Sequence, residues 1–260
     1  MTTKAMRIYP LTVLALLAMM MVLPATAHAA EGNTPLPQQY WPHKGFMGKY
    51  DKAALQRGFQ VYREACASCH SLRLLAYRNL QDLGFTEAQV KAVASEATVT
   101  DGPNDEGDMF ERAAAPADRF VSPFANDEQA RFSNNGALPP DMSLLIKARH
   151  GGEDYIYALL TGYGTAPEDV DIPDGMHWNH YFPGNQIAMP QPLSDGQITY
   201  SSGRSASVES ASRDVVQFLA WASEPHMEYR KTIGLKVLFF MIFFAGFAYA
   251  AKRRIWADVH

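Results

Sequence analysis

Two apolar runs bracket the chain, and between them helical periodicity alternates with long tracts that have none. Residues 11–23 are almost wholly apolar and follow the basic Lys4 and Arg7. With the small-x-small step Ala27-His28-Ala29, they form the pattern of an export signal cleaved after Ala27 or Ala29. An uncleaved N-terminal membrane helix is the alternative, and so short a run suits it less well. The second run, residues 233–251, is 19 residues with one charge, Lys236. At about 1.5 Å per residue it spans close to the thickness of a bilayer core. Phe239, Phe240, Met241, Phe243, Phe244 and Phe247 leave it no polar face, which argues against a buried soluble helix. Lys252, Arg253 and Arg254 follow at once, as a cytoplasmic end requires. Arg230, Lys231 and Lys236 weaken that asymmetry, but the export signal fixes the same orientation. Lys236 can snorkel to the outer interface, while Tyr249 and Trp256 suit the inner one.

Between the runs, residues 52–65 read as a helix capped by Asp51, with Leu55, Phe59 and Tyr62 at helical spacing. Residues 71–80 read as a short helix. Residues 86–97 read as another, with Thr86 as cap and Gln89 three positions on. Periodicity fails over 98–137, which reads as one long loop, and loops of that length are usually functional or mobile. Helices are expected over 141–150, after Pro139-Pro140, and over 153–160, ending near Gly162 and Gly164. Residues 165–198 are again irregular and rich in proline, and a short hairpin is expected near 197–204. A helix over 208–223 turns Val215, Phe218, Leu219 and Trp221 inward, and Pro225 breaks it from the second apolar run. There are no internal repeats. The organisation is therefore a signal over 1–29, one mainly α extracytoplasmic domain over 30–226, and a transmembrane anchor with a short cytoplasmic tail over 227–260.

Charge changes the picture of partners. The formal net charge of −4 over 260 residues hides an asymmetry. Residues 30–226 hold 15 basic and 25 acidic side chains, a net of −10. Nucleic acid is excluded as a partner on that ground. A basic protein that docks by electrostatic steering fits, although an acidic surface also serves plain solubility. The acids gather between Asp101 and Glu111, and again at Glu168, Asp169, Asp171 and Asp174.

The two cysteines of the chain stand in Cys66-Ala67-Ser68-Cys69-His70. C-x-x-C-H is the attachment motif of a c-type haem. Two thiols three positions apart can reach the two vinyl groups of one porphyrin, and the next residue then lies under the iron. His70 is thus the expected proximal ligand of one covalently bound haem c. A thiolate zinc site would need more cysteines or histidines at finger spacing. A thioredoxin-like pair would need a βαβ context. A helix entering the motif and an aromatic helix closing the domain fit a class I c-type cytochrome with long loop insertions, plus one C-terminal transmembrane helix. In that arrangement the first and last helices cross, here at Gly58 and Phe59 against Phe218 and Trp221.

The sixth position of the iron is more open. A methionine would raise the potential and close the site, a histidine would lower it, and an open site would allow ligand chemistry. Met109, Met142, Met176, Met189, His150, His177 and His180 are available. Met142 reads as core and Met109 lies in the acidic loop. Met189 precedes Pro190, which restricts its backbone, and this favours it mildly over Met176.

Longer motifs carry a resemblance. Residues 134–141 (Asn-Asn-Gly-Ala-Leu-Pro-Pro-Asp), 149–155 (Arg-His-Gly-Gly-Glu-Asp-Tyr) and 160–163 (Leu-Thr-Gly-Tyr) are similar to the cytochrome c1 family of bc1 complexes. So are residues 181–184, 187–189 and 221–225. The resemblance covers nearly all of the chain after the signal. It implies Cys66 and Cys69 as haem attachment points and His70 and Met189 as axial ligands. It further implies Arg131 at a propionate, with Pro139 and Pro140 packed on the haem. Some members carry a cysteine at the position of Gly164, so no disulfide is expected, and His180 is read as a loop histidine. The implied role is electron transfer from a Rieske iron–sulfur protein to a soluble, basic c-type cytochrome, beside a cytochrome b subunit. The subunit would lie in the inner membrane with its haem domain in the periplasm, and would not be an enzyme alone. Two rival functions are a membrane-anchored cytochrome feeding an oxidase or reaction centre, and a haem enzyme or sensor with an open sixth site.

Overall fold

The computed structural model describes residues 34–258. The expected signal peptide and its cleavage step lie outside the described residues.

Helix α1, Lys52–Val61, starts where expected, with the Asp51 carboxylate accepting from the amides of Ala53 and Ala54. It buries Leu55, Phe59 and Val61 and runs into a single π turn, Tyr62–Cys66. Its partner is helix α5, Val208–Ser223, capped by Ser207. (Helices α2 to α4 lie between them in the chain.) The two cross at Gly58 because nothing larger fits there. A Cβ on Gly58 would sit 2.1 Å from the Asp214 carbonyl oxygen and 2.7 Å from Cβ of Phe218. Around the crossing Phe218 meets Phe59, Tyr62 and Trp221 in tilted ring contacts, with centroids 5.6, 5.8 and 5.7 Å apart. The Asp214 carboxylate is buried beside them. It is compensated by Arg57, which grips both oxygens at 2.8 Å, and by the Tyr200 hydroxyl at 2.8 Å. A buried charge survives only with such pairing.

Helix α2, Glu87–Ser95, carries the expected Thr86–Gln89 capping box. Helix α4, Gly152–Thr161, packs on α5. Its first turn is tied to the segment that precedes α1. Asp154 accepts from the Trp41 indole at 2.7 Å and the Gln39 amide at 3.0 Å. Glu153 meets His43 at 2.8 Å and Lys44 at 3.0 Å. Burial alone would raise the Glu153 carboxyl, but its bonds to His43 and Lys44 bring it down to about 2. A carboxyl depressed below its unfolded value stabilises the fold above that value, and the gain is lost as pH falls through the folded one. Stability should therefore decline between about pH 4.5 and 2, by up to about 3 kcal/mol from this group. Thermal melts of Glu153→Gln should show a flatter acid limb than wild type. Equal slopes would remove Glu153 from the acid response.

The structure departs from the sequence expectations in five places. Residues 71–76 are not helical, and a 3-10 helix forms later, over Tyr77–Leu83. The backbone there is engaged elsewhere: the Ser71 carbonyl by Met142, the Leu75 carbonyl by Phe120, and the Tyr77 amide by Asp118. The expected helix over 141–150 is a series of turns. The Asp141 side chain takes the Ser143 amide and bonds to Ser71 and Arg73, so it laces two segments together instead of capping a helix. The loop over 98–137 contains a hairpin, β1 (Thr98–Asp101) with β2 (Phe110–Ala113) in antiparallel register, and the short helix α3, Asp127–Ser133. β-branched Thr98, Val99 and Thr100 suit a strand. Arg112 then joins Asp101 to Asp118, which it meets at 2.6 Å. The irregular tract over 165–198 holds one minimal pairing, β3 (His177–Trp178) with β4 (Gln186–Ile187). The expected hairpin near 197–204 closes as one bridge between Thr199 and Ser205.

Helix α6, Met227–Ile255, has 29 residues and is long and apolar enough to cross a membrane. It begins six residues before the apolar run, and its length is about 44 Å at the helical rise.

Candidate functional site

The π turn ends at Cys66, and a tight turn follows. The amides of Cys69 and His70 both donate to the Cys66 carbonyl, at 3.1 and 2.9 Å. This brings both thiols and the imidazole onto one turn of chain. Tyr62, from the same turn, donates its hydroxyl to the His70 carbonyl at 2.9 Å. Both cysteines are free thiols. Burial, followed by the neighbouring Cys69, pushes the Cys66 thiol up to about 12. A thiol held in that way is a poor thiolate ligand for a metal. Its surroundings suit a neutral sulfur, as in a thioether to a porphyrin.

His70 is 8% exposed. Burial pushes its imidazole below the ordinary value, against the pull of the Pro140 carbonyl 2.8 Å from Nδ1. With Nδ1–H donating to that carbonyl, Nε2 keeps its lone pair for a metal, the usual arrangement of an oriented histidine ligand. Pro140 thus has a backbone role that its side chain does not announce. Asp141 holds that carbonyl in place through its bonds to Ser71, Arg73 and Ser143. Burial would raise the Asp141 carboxyl, but these donors keep it below its usual range. A cavity of about 240 Å³ opens beside Cys69, with Leu138, Pro139 and Pro140 on one wall and Phe124 and Ala130 on another. Ser71, Arg73, Asn126, Asp127 and Asp141 complete a mixed lining, and this cavity beside the two-thiol turn, with a neutral, oriented histidine, fits a haem bound at Cys66, Cys69 and His70.

Met189 lies on a loop built by two residues the sequence reading missed. Asn179 is fully buried. Its amide nitrogen donates to the Leu159 carbonyl at 2.8 Å, and its side-chain oxygen accepts from Tyr181 and Phe182. This pins the turn at Gly184 and Asn185, both in the left-handed region, to the end of α4. Tyr163 then donates to the Met189 carbonyl at 3.0 Å. The only hint in the sequence was that polar Asn179 sits among Trp178, Tyr181 and Phe182. Of the other candidates, Met142 is buried core and Met109 is exposed. Met176 is half-buried like Met189, and His177 and His180 are exposed. Arg131 is exposed and donates to the Gly136 carbonyl at 3.1 Å, a local contact within its own turn.

A family model described as the Cytochrome C1 family matches residues 41–259. "Cytochrome c1" of Rhodospirillum rubrum is 45% identical over 257 residues, covering 93% of this chain and 94% of that protein. "Cytochrome c1-2, heme protein, mitochondrial" of Solanum tuberosum is 50% identical over 215 residues, covering 83% of each. "Cytochrome b/c1" of Bradyrhizobium diazoefficiens is 48% identical over 256 residues, covering 90% of this chain. The chain spans only 37% of that longer protein.

Proposed function

The chain belongs to the cytochrome c1 family, and we propose that it is the haem c electron-transfer subunit of a bc1 complex, anchored in the membrane by α6. Haem c supplies a one-electron ferrous–ferric couple. The protein contributes attachment through Cys66 and Cys69, a neutral His70 oriented by Pro140, and a distal thioether from Met189. Pro139 and Pro140 would pack on the haem and shield it from water once it is bound. Arg131 completes this set at a haem propionate: it is exposed, and its bond to the Gly136 carbonyl leaves further N–H donors for a carboxylate. The observation that carries the reading is the bond from His70 Nδ1 to the Pro140 carbonyl beside two free thiols, in a chain with this family match.

The partners we assign are a cytochrome b subunit, a Rieske iron–sulfur protein as donor and a soluble basic c-type cytochrome as acceptor. We assign residues 30–226 to the periplasmic side of the inner membrane, with Lys252, Arg253 and Arg254 on the cytoplasmic side, in accord with the positive-inside rule. The chain alone is no catalyst. Purification of the tagged chain from native membranes tests the assembly: b-type haem and an iron–sulfur protein should come with it. Recovery of an oxidase instead would move the subunit to a different complex.

The acidic clusters bear on the acceptor. Asp105, Glu106, Asp108 and Glu111 are exposed, as are Glu168, Asp169, Asp171 and Asp174, whereas Asp101 is engaged by Arg112. Steering by such charge speeds encounter and is screened over roughly 10 Å at about 0.1 M salt. Oxidation of the subunit by a basic acceptor should slow roughly tenfold from low to physiological salt. Neutralising Asp105, Glu106 and Asp108 together should flatten that dependence and leave reduction by the Rieske protein unchanged. A rate that ignores salt would defeat the steering idea.

A further inference from the structure

A second cavity, of about 310 Å³, lies where the domain meets α6, and the proposed electron transfer does not use it. Four cations line it, Lys44, Lys147, Arg230 and Lys231, against two carboxylates, Glu153 and Glu224. The surplus of two comes from α6, through Arg230 and Lys231, because Lys44 and Lys147 balance Glu153 and Glu224. The carboxylates are already shared. Glu224 takes both Lys147 at 2.9 Å and Arg230 at 2.5 Å, and Glu153 takes Lys44 at 3.0 Å. Glu228, nearby on α6, is turned to the Tyr50 amide. Lys231 spends all three donors on the carbonyls of His43, Gly45 and Gly48, so it adds field without a free N–H. The heads of Lys44, Lys147 and Arg230 are about half exposed or more, with donors left over. His43, on the same wall, is 5% exposed, and its Nδ1 has no partner among the described residues.

The height of the cavity identifies what fills it. Lys231 precedes the apolar run at Ile233 by two residues, about 3 Å along the helix axis. The cavity therefore lies at headgroup level if α6 spans the bilayer. The three carbonyls bonded to Lys231 fix the loop over 43–48 at the same level. That loop turns Phe46 and Met47 outward, 66% and 72% exposed, with Tyr229 of α6 at 69%. Apolar side chains next to a cationic cavity at this depth match the two parts of a lipid, acyl chain and phosphate.

We infer that this cavity binds the phosphate headgroup of an anionic phospholipid in the leaflet facing the domain, with Phe46 and Met47 inserted beside its acyl chains. Lys44, Lys147 and Arg230 supply the charge-assisted bonds. The inference rests on α6 spanning the membrane, and it adds a defined lipid site to an anchor that otherwise needs only hydrocarbon.

The test uses the full-length, haem-loaded protein in neutral detergent. It measures retention of dioctanoyl phosphatidylglycerol, dioctanoyl phosphatidylcholine and inorganic phosphate by native mass spectrometry. Phosphatidylglycerol should be retained roughly tenfold better than phosphatidylcholine, and Lys44→Gln with Lys147→Gln should abolish that preference. Arg230→Gln, remote from the Glu153 pairing, should weaken it severalfold, and Phe46→Ser with Met47→Ser should lower both lipids alike. An intact haem spectrum in each variant shows that the fold survives. Equal retention of the two lipids by wild type, or a preference untouched by both charge variants, would overturn the inference. Displacement of phosphatidylglycerol by millimolar phosphate would make this a free-anion site and would overturn the lipid assignment. Alkaline extraction of membranes separates the two readings: a chain that stays in the pellet without lipid preference fails here alone, and a chain that washes off fails as an anchored subunit.

Discussion

Met189→Leu should leave the haem covalently attached and change its chemistry. Both thioether positions, Cys66 and Cys69, survive the substitution, as does the His70–Pro140 bond. Leucine is close to isosteric, and the loop is held by Asn179 and by Tyr163 on the backbone of residue 189, so neither anchor needs the sulfur. What is lost is a thioether ligand that favours the ferrous iron. The midpoint potential should fall by a sizeable part of the roughly 0.8 V range over which axial ligands tune haem. The reduced protein should also bind carbon monoxide, which wild type should refuse. Potentiometry and a carbon monoxide difference spectrum check both effects. An unchanged potential would remove Met189 from the iron and bring forward Met176, the other half-buried methionine of the same tract.

Gly58→Val should be the most disruptive single change in the domain. Cβ alone would lie 2.1 Å from the Asp214 carbonyl oxygen, and both close neighbours belong to the α5 backbone or its first side-chain atom. Neither can rotate away, so the helices must separate. Overpacking of this kind costs about 1–3 kcal/mol where the surroundings yield, and backbone on the far side yields little. Separation would also loosen the Arg57–Asp214–Tyr200 network and leave a buried carboxylate short of partners. Because α1 runs directly into the turn that carries Cys66, the loss should reach the haem site. The yield of haem-loaded protein should drop severalfold or more, and the remainder should melt well below wild type. Gly246→Ala is the control, since nothing lies within 4 Å of a Cβ there. A Gly58→Val protein as stable as the control would refute the crossing as the keystone of the domain.

The helices legible in the sequence are those that carry their own start and stop signals. Helix α5 follows its expected limits over 208–223 because a Ser207 cap and Pro225 agree, even though residues 214–223 are buried all round. Helices α1 and α2 likewise carry their own caps at Asp51 and Thr86. The misses share one cause. Over 71–76 and 141–150 the chain has helical composition, but the Met142 amide takes the Ser71 carbonyl and the side chains of Asp141 and Ser143 take Ser71, Arg73 and Leu74, which ties the two segments together as turns. Local propensity cannot register a competitor about 70 residues away. The haem motif was legible because its spacing is chemical. The supports were not: Pro140 acts through a carbonyl that every residue has, and Asp141, Asn179 and Tyr163 act through contacts across loops. The role of Arg131 follows from its place beside the Asn-Asn-Gly run, and its one bond within that turn leaves donors for a propionate.

The central claim is a haem c attached at Cys66 and Cys69 and closed by His70 and Met189. The most direct measurement is the optical spectrum of the full-length wild-type protein, oxidised and then reduced under carbon monoxide. The expected result is the weak methionine–iron charge-transfer band in the oxidised form and no change on adding carbon monoxide to the reduced form. A missing band together with a carbon monoxide adduct would contradict the claim and leave a haem protein with an open sixth site.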